Sequence, residues 1–403
     1  MFKNYFKVAL RNLNRNRIFA LINVFGLALG LTVTILVFLF VTDELSYDKH
    51  WDGYDRIHRA GLKVNMMGQK MDGPASPSPM ATSLRTEFTE IESATRFQHG
   101  RSDVLLRHEQ NKMYISNAVY ADSAFFKVFN FEFIHGNSTT ALKDQNAIVL
   151  TEETAKKLFG DKNALGEIVN FENRTDYIVR AIVKDPIENA HFQFNVFISQ
   201  NDVQNIWLSN NHMTYLKLNE GIDSQEFFEK MSANFMEKIK PNVEQFLQIP
   251  MEEFYEQGNN FEYTLQPLEE IHLHSHTTFE IRQNGNIMYV YVFIGIAVLV
   301  ILIAGINFMN LSTARSGKRA KEVGVRKVAG ASKKMLVSQF LFESVIQSII
   351  ALFIALALVE LFLPGFNNIM ETNLSLLNSH WMTTLGFALI ITLGYGLFAG
   401  SYP

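Results

Sequence analysis

The sequence predicts a polytopic α-helical membrane protein with four transmembrane helices and a large α+β domain inserted between helices 1 and 2. Three observations predict this fold class. The apolar residues, 48% of the 403 residues, gather in four long runs. A segment of 244 residues, 43–286, separates the first run from the second. Basic residues cluster next to the runs, whereas acidic residues dominate the long segment.

The four apolar runs are long enough to cross a bilayer, because a hydrocarbon core of about 30 Å requires about 20 helical residues. We place these spans at 19–42, 287–309, 336–363 and 383–403. Only the third contains charged residues, Glu343 and Glu360, and both lie near a membrane face, where a carboxylate reaches water. The first run is too long for a secretory signal and lacks a small-residue cleavage site, so we expect an uncleaved anchor.

The segments between the spans carry opposite charges. Residues 1–18 and 310–335 together have a net charge of +12, whereas residues 43–286 have a net charge of −13. The positive-inside rule therefore predicts the N-terminus and the 310–335 loop in the cytoplasm, with 43–286 outside. The loop 364–382 has no basic residue and fits the outer side, which returns the C-terminus to the cytoplasm.

Residues 43–286 mix the periodicities of strands and helices, which predicts an α+β domain of one or two subdomains. We predict strands over 113–119, 147–150 and 176–183. Thr151 is expected to cap a helix that stops at Gly160. Apolar residues at helical spacing predict an amphipathic helix over 224–239, and the Pro-rich stretch 73–79 is predicted to be a loop or hinge.

The composition and the missing motifs exclude several classes of function. The chain has no cysteine, which excludes disulfides, Cys-ligated zinc, iron–sulfur clusters and a Cys nucleophile. The net charge of −4 argues against nucleic-acid binding. The sequence contains neither a G-x-x-x-x-G-K-[ST] phosphate loop nor a G-x-S-x-G elbow. We therefore predict that the chain does not hydrolyse ATP itself and uses no cofactor.

One cluster has metal-ligand character. His272, His274 and His276 alternate, so in a strand their imidazoles would share one face that could bind zinc or copper. The alternative is a polar strand face close to the point where the chain re-enters the membrane. We favour the alternative and treat the three histidines as weak metal candidates.

Two cytoplasmic segments carry more basic residues than topology requires. In the leader 1–18, Lys3, Lys7 and Arg11 recur at spacings of four beside an apolar face. This pattern predicts a helix lying in the membrane interface, against the alternative of topology signalling alone. The 310–335 loop holds eight basic residues and is expected to face lipid phosphates or a protein partner.

Several motifs resemble one family. The run 319–344, with its E-V-G-V-R-K-V-A-G-A-S core, resembles the FtsX-type permease domain, which would occupy about 287–403. The segments 10–13 (L-R-N-L) and 23–27 (N-V-F-G-L) resemble the N-terminus of MacB-like ABC transporter permeases, especially those of Bacteroidetes. Further segments fit the same pattern, so the resemblance covers the whole chain: 43–48, 271–273 and 307–312.

The resemblance implies a non-catalytic permease subunit of the inner membrane with a periplasmic 43–286 domain. It implies that the cytoplasmic 310–335 loop docks onto a separate ATPase subunit. By position, the docking residues would be Lys321, Glu322, Gly324, Val325, Arg326 and Lys327. It also implies that ATP hydrolysis moves the periplasmic domain, in efflux of peptides or drugs, lipoprotein release or envelope mechanotransmission.

The resemblance implies further partners as well: a second copy or second permease half, and a periplasmic adaptor or outer-membrane component. Such permeases usually repeat the unit, so we expect this chain to be a first half or a truncated chain. The alternative function is a membrane-anchored periplasmic sensor or scaffold without an ATPase partner. That alternative predicts normal function when Glu322 and Gly324 are replaced.

Overall fold

The computed structural model describes residues 11, 17–66, 68–100, 103–313, 323–330, 332–377 and 381–401. The chain divides into two compact units. The membrane unit contains the residues up to Leu45 and those from Ile287 onward, and the sheet domain is Ser46–Asn286.

The helices are numbered along the chain. They are α1 (Arg17–Glu44), α2 (Met80–Glu87), α3 (Phe125–Val128), α4 (Glu152–Phe159), α5 (Ser224–Leu247), α6 (Met251–Glu256), α7 (Leu268–His274), α8 (Ile287–Thr313), α9 (Lys333–Met370) and α10 (Trp381–Ser401). A short 3-10 helix, Tyr54–Arg56, and the helical residues 323–328 are left unnumbered.

The strands are numbered in the same way. They are β1 (Ile57–Met66), β2 (Gln69–Gly73), β3 (Ser76–Pro77), β4 (Ile91–His99), β5 (Val104–His108), β6 (Asn111–Ile115), β7 (Ala118–Ala121), β8 (Phe133–His135), β9 (Ala147–Thr151), β10 (Ile168–Phe171), β11 (Thr175–Val183), β12 (Val196–Ser199), β13 (Asn210–Leu218) and β14 (Asn260–Pro267).

Four helices of the membrane unit, α1, α8, α9 and α10, are long and apolar enough to cross a membrane. Helices suit a bilayer because they satisfy their backbone hydrogen bonds internally. Glycines let these helices approach closely: a Cβ at Gly30 would lie 2.8 Å from the Cβ of Ala304. A Cβ at Gly396 would likewise lie 2.8 Å from the Cα of Val345. Small residues at such crossings are typical of packed transmembrane helices.

Helix α9 is longer than the third predicted span, which ends at 363. It continues through Pro364 to Met370 and stops at Glu371, whose φ is 54°. The side chain of Asn367 fixes this end, since its Oδ1 accepts the N–H of Leu374 (3.0 Å) and its Nδ2 donates to the Leu374 carbonyl (2.9 Å). The cap, and not the proline, therefore determines where the helix stops.

The sheet domain is built on one mixed sheet of 14 strands among the described residues. Its main path runs in the order β14-β1-β13-β4-β7-β12-β9-β11-β10-β5-β6, with β2, β3 and β8 paired beside it. The pairs β7–β12 and β9–β11 are parallel, and the other pairs are antiparallel. Phenylalanines dominate the core on one part of the sheet, around Phe125, Phe192 and Phe197.

Several local predictions for this domain are confirmed. Strands β9 and β11 cover the predicted 147–150 and 176–183. Thr151 caps α4 by accepting the N–H of Thr154, and Gly160 follows the helix with a φ of 64°. Helix α5 has the predicted amphipathic face but extends to Leu247, beyond the predicted 239.

Two local predictions hold only in part. The expected strand over 113–119 divides into β6 and β7, which are not paired with each other. The stretch 73–79, predicted to be a loop or hinge, is a loop only in part, because it supplies the end of β2 and all of β3. Ser76 there is buried, and its Oγ donates to Oγ1 of Thr214 at 2.7 Å. Pairing of β3 with β13 fixes this stretch despite its prolines.

Candidate functional site

Four of the predicted ATPase-docking residues lie on a short helical segment between α8 and α9. Residues 323–328 are helical, and the turn closes at Gly330, whose φ is +88° and whose N–H donates to the Lys327 carbonyl at 3.0 Å. Ser332 then caps α9 by accepting the N–H of Met335 at 3.4 Å. We call residues 323–330 the coupling segment; Lys321 and Glu322 lie outside the described residues.

The coupling segment exposes apolar surface. Val325 is 65% exposed and Val328 is 91% exposed, and their spacing of three places them on one helical face. A Cβ at Gly324 would meet no described atom within 4 Å. Glycine inside a helix is about 1 kcal/mol less favourable than alanine. The described chain therefore gives no packing reason for Gly324, and a partner that approaches the backbone would supply one.

Arg326 connects the coupling segment to α9. Its Nη1 donates to Oε1 of Gln339 at 2.6 Å. Lys327 is exposed beside it. A displacement of the segment would therefore act on α9 through this hydrogen bond as well as through the chain.

The predicted leader helix lies almost wholly outside the described residues. Arg11 is helical and exposed. Lys3 and Lys7 are among the residues that the structure does not describe.

The three histidines do not share a strand face, and the strand interpretation is wrong. Residues Leu268–His274 form α7, with Glu269 and Glu270 in a first turn that favours negative charge. His272 is buried and stacks on Tyr47 with ring centroids 3.4 Å apart, whereas His274 and His276 are exposed. No group of three His, Asp or Glu side chains that could hold a metal occurs among the described residues.

A buried polar network, which the sequence analysis did not identify, lies inside the sheet domain. It consists of Asp48, Arg59, His191, Tyr215 and Glu280. We call it the root network because Asp48 lies near the first residue of the domain and Glu280 near the last.

Asp48 begins the network directly after α1. Its Oδ1 accepts hydrogen bonds from Nδ1 of His191 (2.8 Å) and Nε1 of Trp51 (3.2 Å). Burial alone would raise the pKa of Asp48, but the charge and hydrogen bonds of His191 outweigh it and lower this pKa. Asp48 has a left-handed φ of 61°, a conformation that Asp tolerates better than most residues.

Tyr215 joins the two halves of the network. Its hydroxyl lies 2.7 Å from Nε2 of His191 and also hydrogen bonds to Arg59. Burial raises the pKa of Tyr215, so the hydroxyl keeps its proton. It therefore remains available as a donor at neutral pH.

Arg59 and Glu280 form a bidentate ion pair at the far end. Nη1 lies 2.6 Å from Oε2 and Nη2 lies 2.8 Å from Oε1. Ser275 and Thr277 each donate to the same carboxylate at 2.5 Å. Burial raises the pKa of Glu280, but these donors and Arg59 outweigh it and lower this pKa.

The root network joins the two segments through which the sheet domain continues into the membrane unit. Residues 46–51 follow α1, and residues 275–282 precede α8. The loop 188–192 contributes to both segments: Nδ2 of Asn189 donates to Ser46 Oγ (2.6 Å), and Arg282 donates to the Ala190 carbonyl (3.1 Å). An arginine inside the apolar strand β1 was the one sequence signal of this network.

Comparison with known protein families identifies both units. Residues 20–234 match the MacB-like periplasmic core domain, and residues 294–402 match the FtsX-like permease C-terminal domain. The first match covers more than half of the chain.

Curated relatives agree with these families. The chain is 22% identical over 300 residues to the macrolide export ATP-binding/permease protein MacB of Salmonella typhi, an alignment that covers 68% of this chain and 39% of that protein. MacB of Bdellovibrio bacteriovorus is 30% identical over 109 residues, which cover 26% of this chain and 15% of that protein. The chain thus spans about 39% of the length of the Salmonella relative.

Solved structures of similar domains exist. A domain of a permease protein from Porphyromonas gingivalis is 20% identical, with a TM-score of 0.45, and covers 54% of this chain and 91% of that one. The periplasmic region of MacB from Actinobacillus actinomycetemcomitans is 15% identical, with a TM-score of 0.36, and the match covers 56% of this chain and 95% of that one.

Together, four apolar helices and bacterial relatives indicate a multi-pass protein of the bacterial inner membrane with a periplasmic α+β domain, as the sequence predicted. Because one family model covers more than half of the chain and the second covers most of the remaining membrane unit, this chain belongs to the MacB/FtsX-like family of ABC transporter permeases.

Proposed function

We propose that this chain is a non-catalytic permease subunit whose coupling segment docks onto a separate ATPase chain in the cytoplasm. ATP hydrolysis on that chain would move the helices of the membrane unit, and the sheet domain would follow. The work performed would be efflux of peptides or drugs, lipoprotein release or envelope mechanotransmission. A second copy or a second permease half would complete the permease, and a periplasmic adaptor or outer-membrane component would extend it.

The observation that carries this proposal is the exposed apolar face of the coupling segment. Val325 and Val328 would gain about 25 cal/mol for each Å² of apolar surface that a partner covers. Gly324 would let that partner approach the helix backbone, since no described atom occupies the space beside it. Arg326 would pass the partner's motion to α9 through Gln339.

The root network supports the second half of the proposal. Residues 46–51 continue from α1 and residues 275–282 lead into α8, and the network holds both in one hydrogen-bonded cluster. A displacement of either helix end would therefore reach β1 and β13, which carry Arg59 and Tyr215. Buried polar networks of this kind are rigid because each member restrains the next.

Affinity purification from native membranes tests the proposal. We expect an ATPase chain to copurify with this chain in mild detergent, and we expect its ATP hydrolysis to fall in the Glu322→Ala and Gly324→Leu variants. Gly365→Leu is the matched control, because Gly365 is also a helical glycine whose Cβ would meet no described atom within 4 Å. The control should retain the activity of the unmodified complex.

The same experiment discriminates the alternative function. Absence of an ATPase from an eluate that contains intact chain would overturn the permease proposal and favour a periplasmic sensor or scaffold. Equal losses of activity in Gly324→Leu and Gly365→Leu would show a general effect on the helices and would also contradict docking at the coupling segment.

A further inference from the structure

The sheet domain contains a cavity of about 600 Å³ where the end of β4 meets the start of β13. This volume lies within the range of about 300–1,000 Å³ that is usual for small-molecule sites. Much of the lining is apolar and comes from separate elements: Leu62, Met71, Phe97, Met213, Phe279 and Ile281. All the lining residues belong to the sheet domain.

Three polar side chains of the cavity lining each have one atom without a partner among the described residues. Nδ1 of His99, Oδ1 of Asn210 and Nδ1 of His212 are buried without a hydrogen bond to any described residue. His212 is only 6% exposed. A buried polar atom without a partner costs about 1–3 kcal/mol, so three of them beside one cavity indicate that something else bonds there.

Two of these atoms accept hydrogen bonds. The ring of His99 already donates to the Ala118 carbonyl, so its Nδ1 is the acceptor of the neutral ring. Oδ1 of Asn210 is an acceptor by its nature. Both atoms are covered by neighbouring groups, so a bound molecule would have to displace these groups or turn the side chains about χ2, a soft torsion in His and Asn, and His99 would then exchange its hydrogen bond to Ala118 for one to the molecule. A molecule in the cavity must therefore offer donors.

The cavity lining has no unpaired charge among the described residues. Burial lowers the pKa of His99, and burial together with the charge of Arg96 lowers the pKa of His212 to about 4, so both rings are neutral at pH 7. The carboxylate of Glu280 is neutralised by Arg59. Arg96 does not line the cavity, so an ion would find no unpaired counter-charge among the lining residues, and its desolvation would oppose binding.

Phe279 lines the cavity. It is 60% exposed, and its φ of +70° is a left-handed conformation that costs an aromatic residue about 1–3 kcal/mol. The neighbours on both sides hold it there, since the N–H of Thr278 donates to the Asp72 carbonyl at 2.8 Å and Glu280 binds Arg59. An exposed ring held in this way can cover an apolar ligand.

We propose that this cavity binds an uncharged, largely apolar molecule that carries hydroxyl or amide N–H groups. The apolar lining would bury its body, and the acceptors of His99 and Asn210 would take its donors. Binding here requires no ATPase, so the inference goes beyond the proposed function and does not depend on it.

A fluorescence titration tests the proposal with the full chain in lipid nanodiscs. The probe is N-phenyl-1-naphthylamine, an uncharged aromatic amine with one N–H, and signal from empty nanodiscs is subtracted. We expect saturable binding. Its anionic analogue 1-anilinonaphthalene-8-sulfonate keeps the same N–H, and we expect it to bind at least tenfold more weakly because it adds a charge.

Two variants locate the site. Phe279→Gly removes the covering ring at a φ that suits glycine, and Asn210→Leu removes the acceptor while nearly keeping the shape. Each should weaken binding of the uncharged probe at least fivefold. Tyr114→Ala is the matched control, since Tyr114 is an exposed aromatic residue (70%) that does not line the cavity.

Three results would overturn the proposal. The first is no saturable signal above empty nanodiscs. The second is binding of the sulfonate as tight as that of the uncharged probe, which would indicate an anion site. The third is unchanged affinity in both Phe279→Gly and Asn210→Leu, which would place the probe elsewhere. None of these results depends on whether an ATPase copurifies.

Discussion

In the root network, charged and polar side chains lie inside the sheet domain and bond to one another, whereas in the coupling segment apolar side chains lie exposed. Arg59 has its carboxylate partner within the domain, but Val325 and Val328 stay largely uncovered by the described chain. The contrast teaches that substitutions in the first region should affect folding, while those in the second should affect a partner.

The largest expected effect is the removal of the buried carboxylate. Glu280→Ala leaves the guanidinium of Arg59, 2% exposed, without its counter-charge. We expect the free energy of unfolding of the sheet domain to fall by about 3–5 kcal/mol. Urea unfolding in detergent, followed by tryptophan fluorescence, measures this. The control is Asp72→Ala, because Asp72 forms an exposed ion pair with Lys63 that should contribute about 0–1 kcal/mol. Equal losses in the two variants would contradict the assignment.

The hydroxyl that joins the network should come next. Tyr215→Phe removes the hydrogen bonds to His191 and Arg59 without changing the ring, and should cost about 1–3 kcal/mol. Tyr263→Phe is a matched control, because the Tyr263 hydroxyl is equally buried and has no partner among the described residues. Its removal should be neutral or slightly stabilising. If the network does not contribute to stability, both variants would show the same small change in the free energy of unfolding.

Acid should destabilise the sheet domain through His212. The folded domain holds the pKa of His212 at about 4, against 6.5 for an unperturbed histidine, because burial and Arg96 oppose its charge. The unfolded chain therefore binds more protons between these values, and stability falls as pH drops from 6.5 to about 4. Burial also lowers the pKa values of His50, His58 and His99, so these histidines add to the decrease in the same range, and Asp48, whose pKa is lowered too, adds to it at more acidic pH.

The His212→Gln variant isolates this contribution. Urea unfolding at a series of pH values should give a smaller decrease in stability between pH 6.5 and 4 for the variant than for the unmodified chain. Identical pH profiles would show that His212 is charged in the folded domain, or that another group determines the slope.

The smallest expected effect on stability belongs to the coupling segment. Val328→Ser changes a side chain that is 91% exposed, so the free energy of unfolding should stay within about 0.5 kcal/mol. ATP hydrolysis by the purified complex should nevertheless fall, because serine removes apolar surface from the proposed docking face. A folded variant with unchanged hydrolysis would place docking elsewhere on the membrane unit.

The membrane spans and several elements of the sheet domain could be predicted from the sequence because their signals are local. A run of about 20 apolar residues predicts a membrane span by its length and composition. The Thr151 cap and strands β9 and β11 were predicted from short sequence patterns. The motif around Gly324 predicted the family, and the match of residues 294–402 to the FtsX-like permease C-terminal domain confirmed that prediction.

The root network and the cavity could not be predicted, because they depend on long-range pairing. Asp48 and His191 are 143 residues apart, and Arg59 and Glu280 are 221 apart. The histidine motif was misread for a related reason: alternation of His272, His274 and His276 suggested a strand, but Leu268 and Ile271 bury one side of a helix. Burial of that apolar pair outweighed the local pattern.

The pairing of β1 with β14 has a consequence for biosynthesis. Asn65 aligns with Asn260, so the ribosome must add about 200 further residues before this pair can form. At about 5–20 residues per second, that takes roughly 10–40 s. During this time β1 follows α1 in the nascent chain but has no partner on the edge that β14 later covers. An unpaired strand edge can associate with the wrong strand. Until β14 is made, the edge of β1 that it covers stays open, and wrong pairing would begin at this edge.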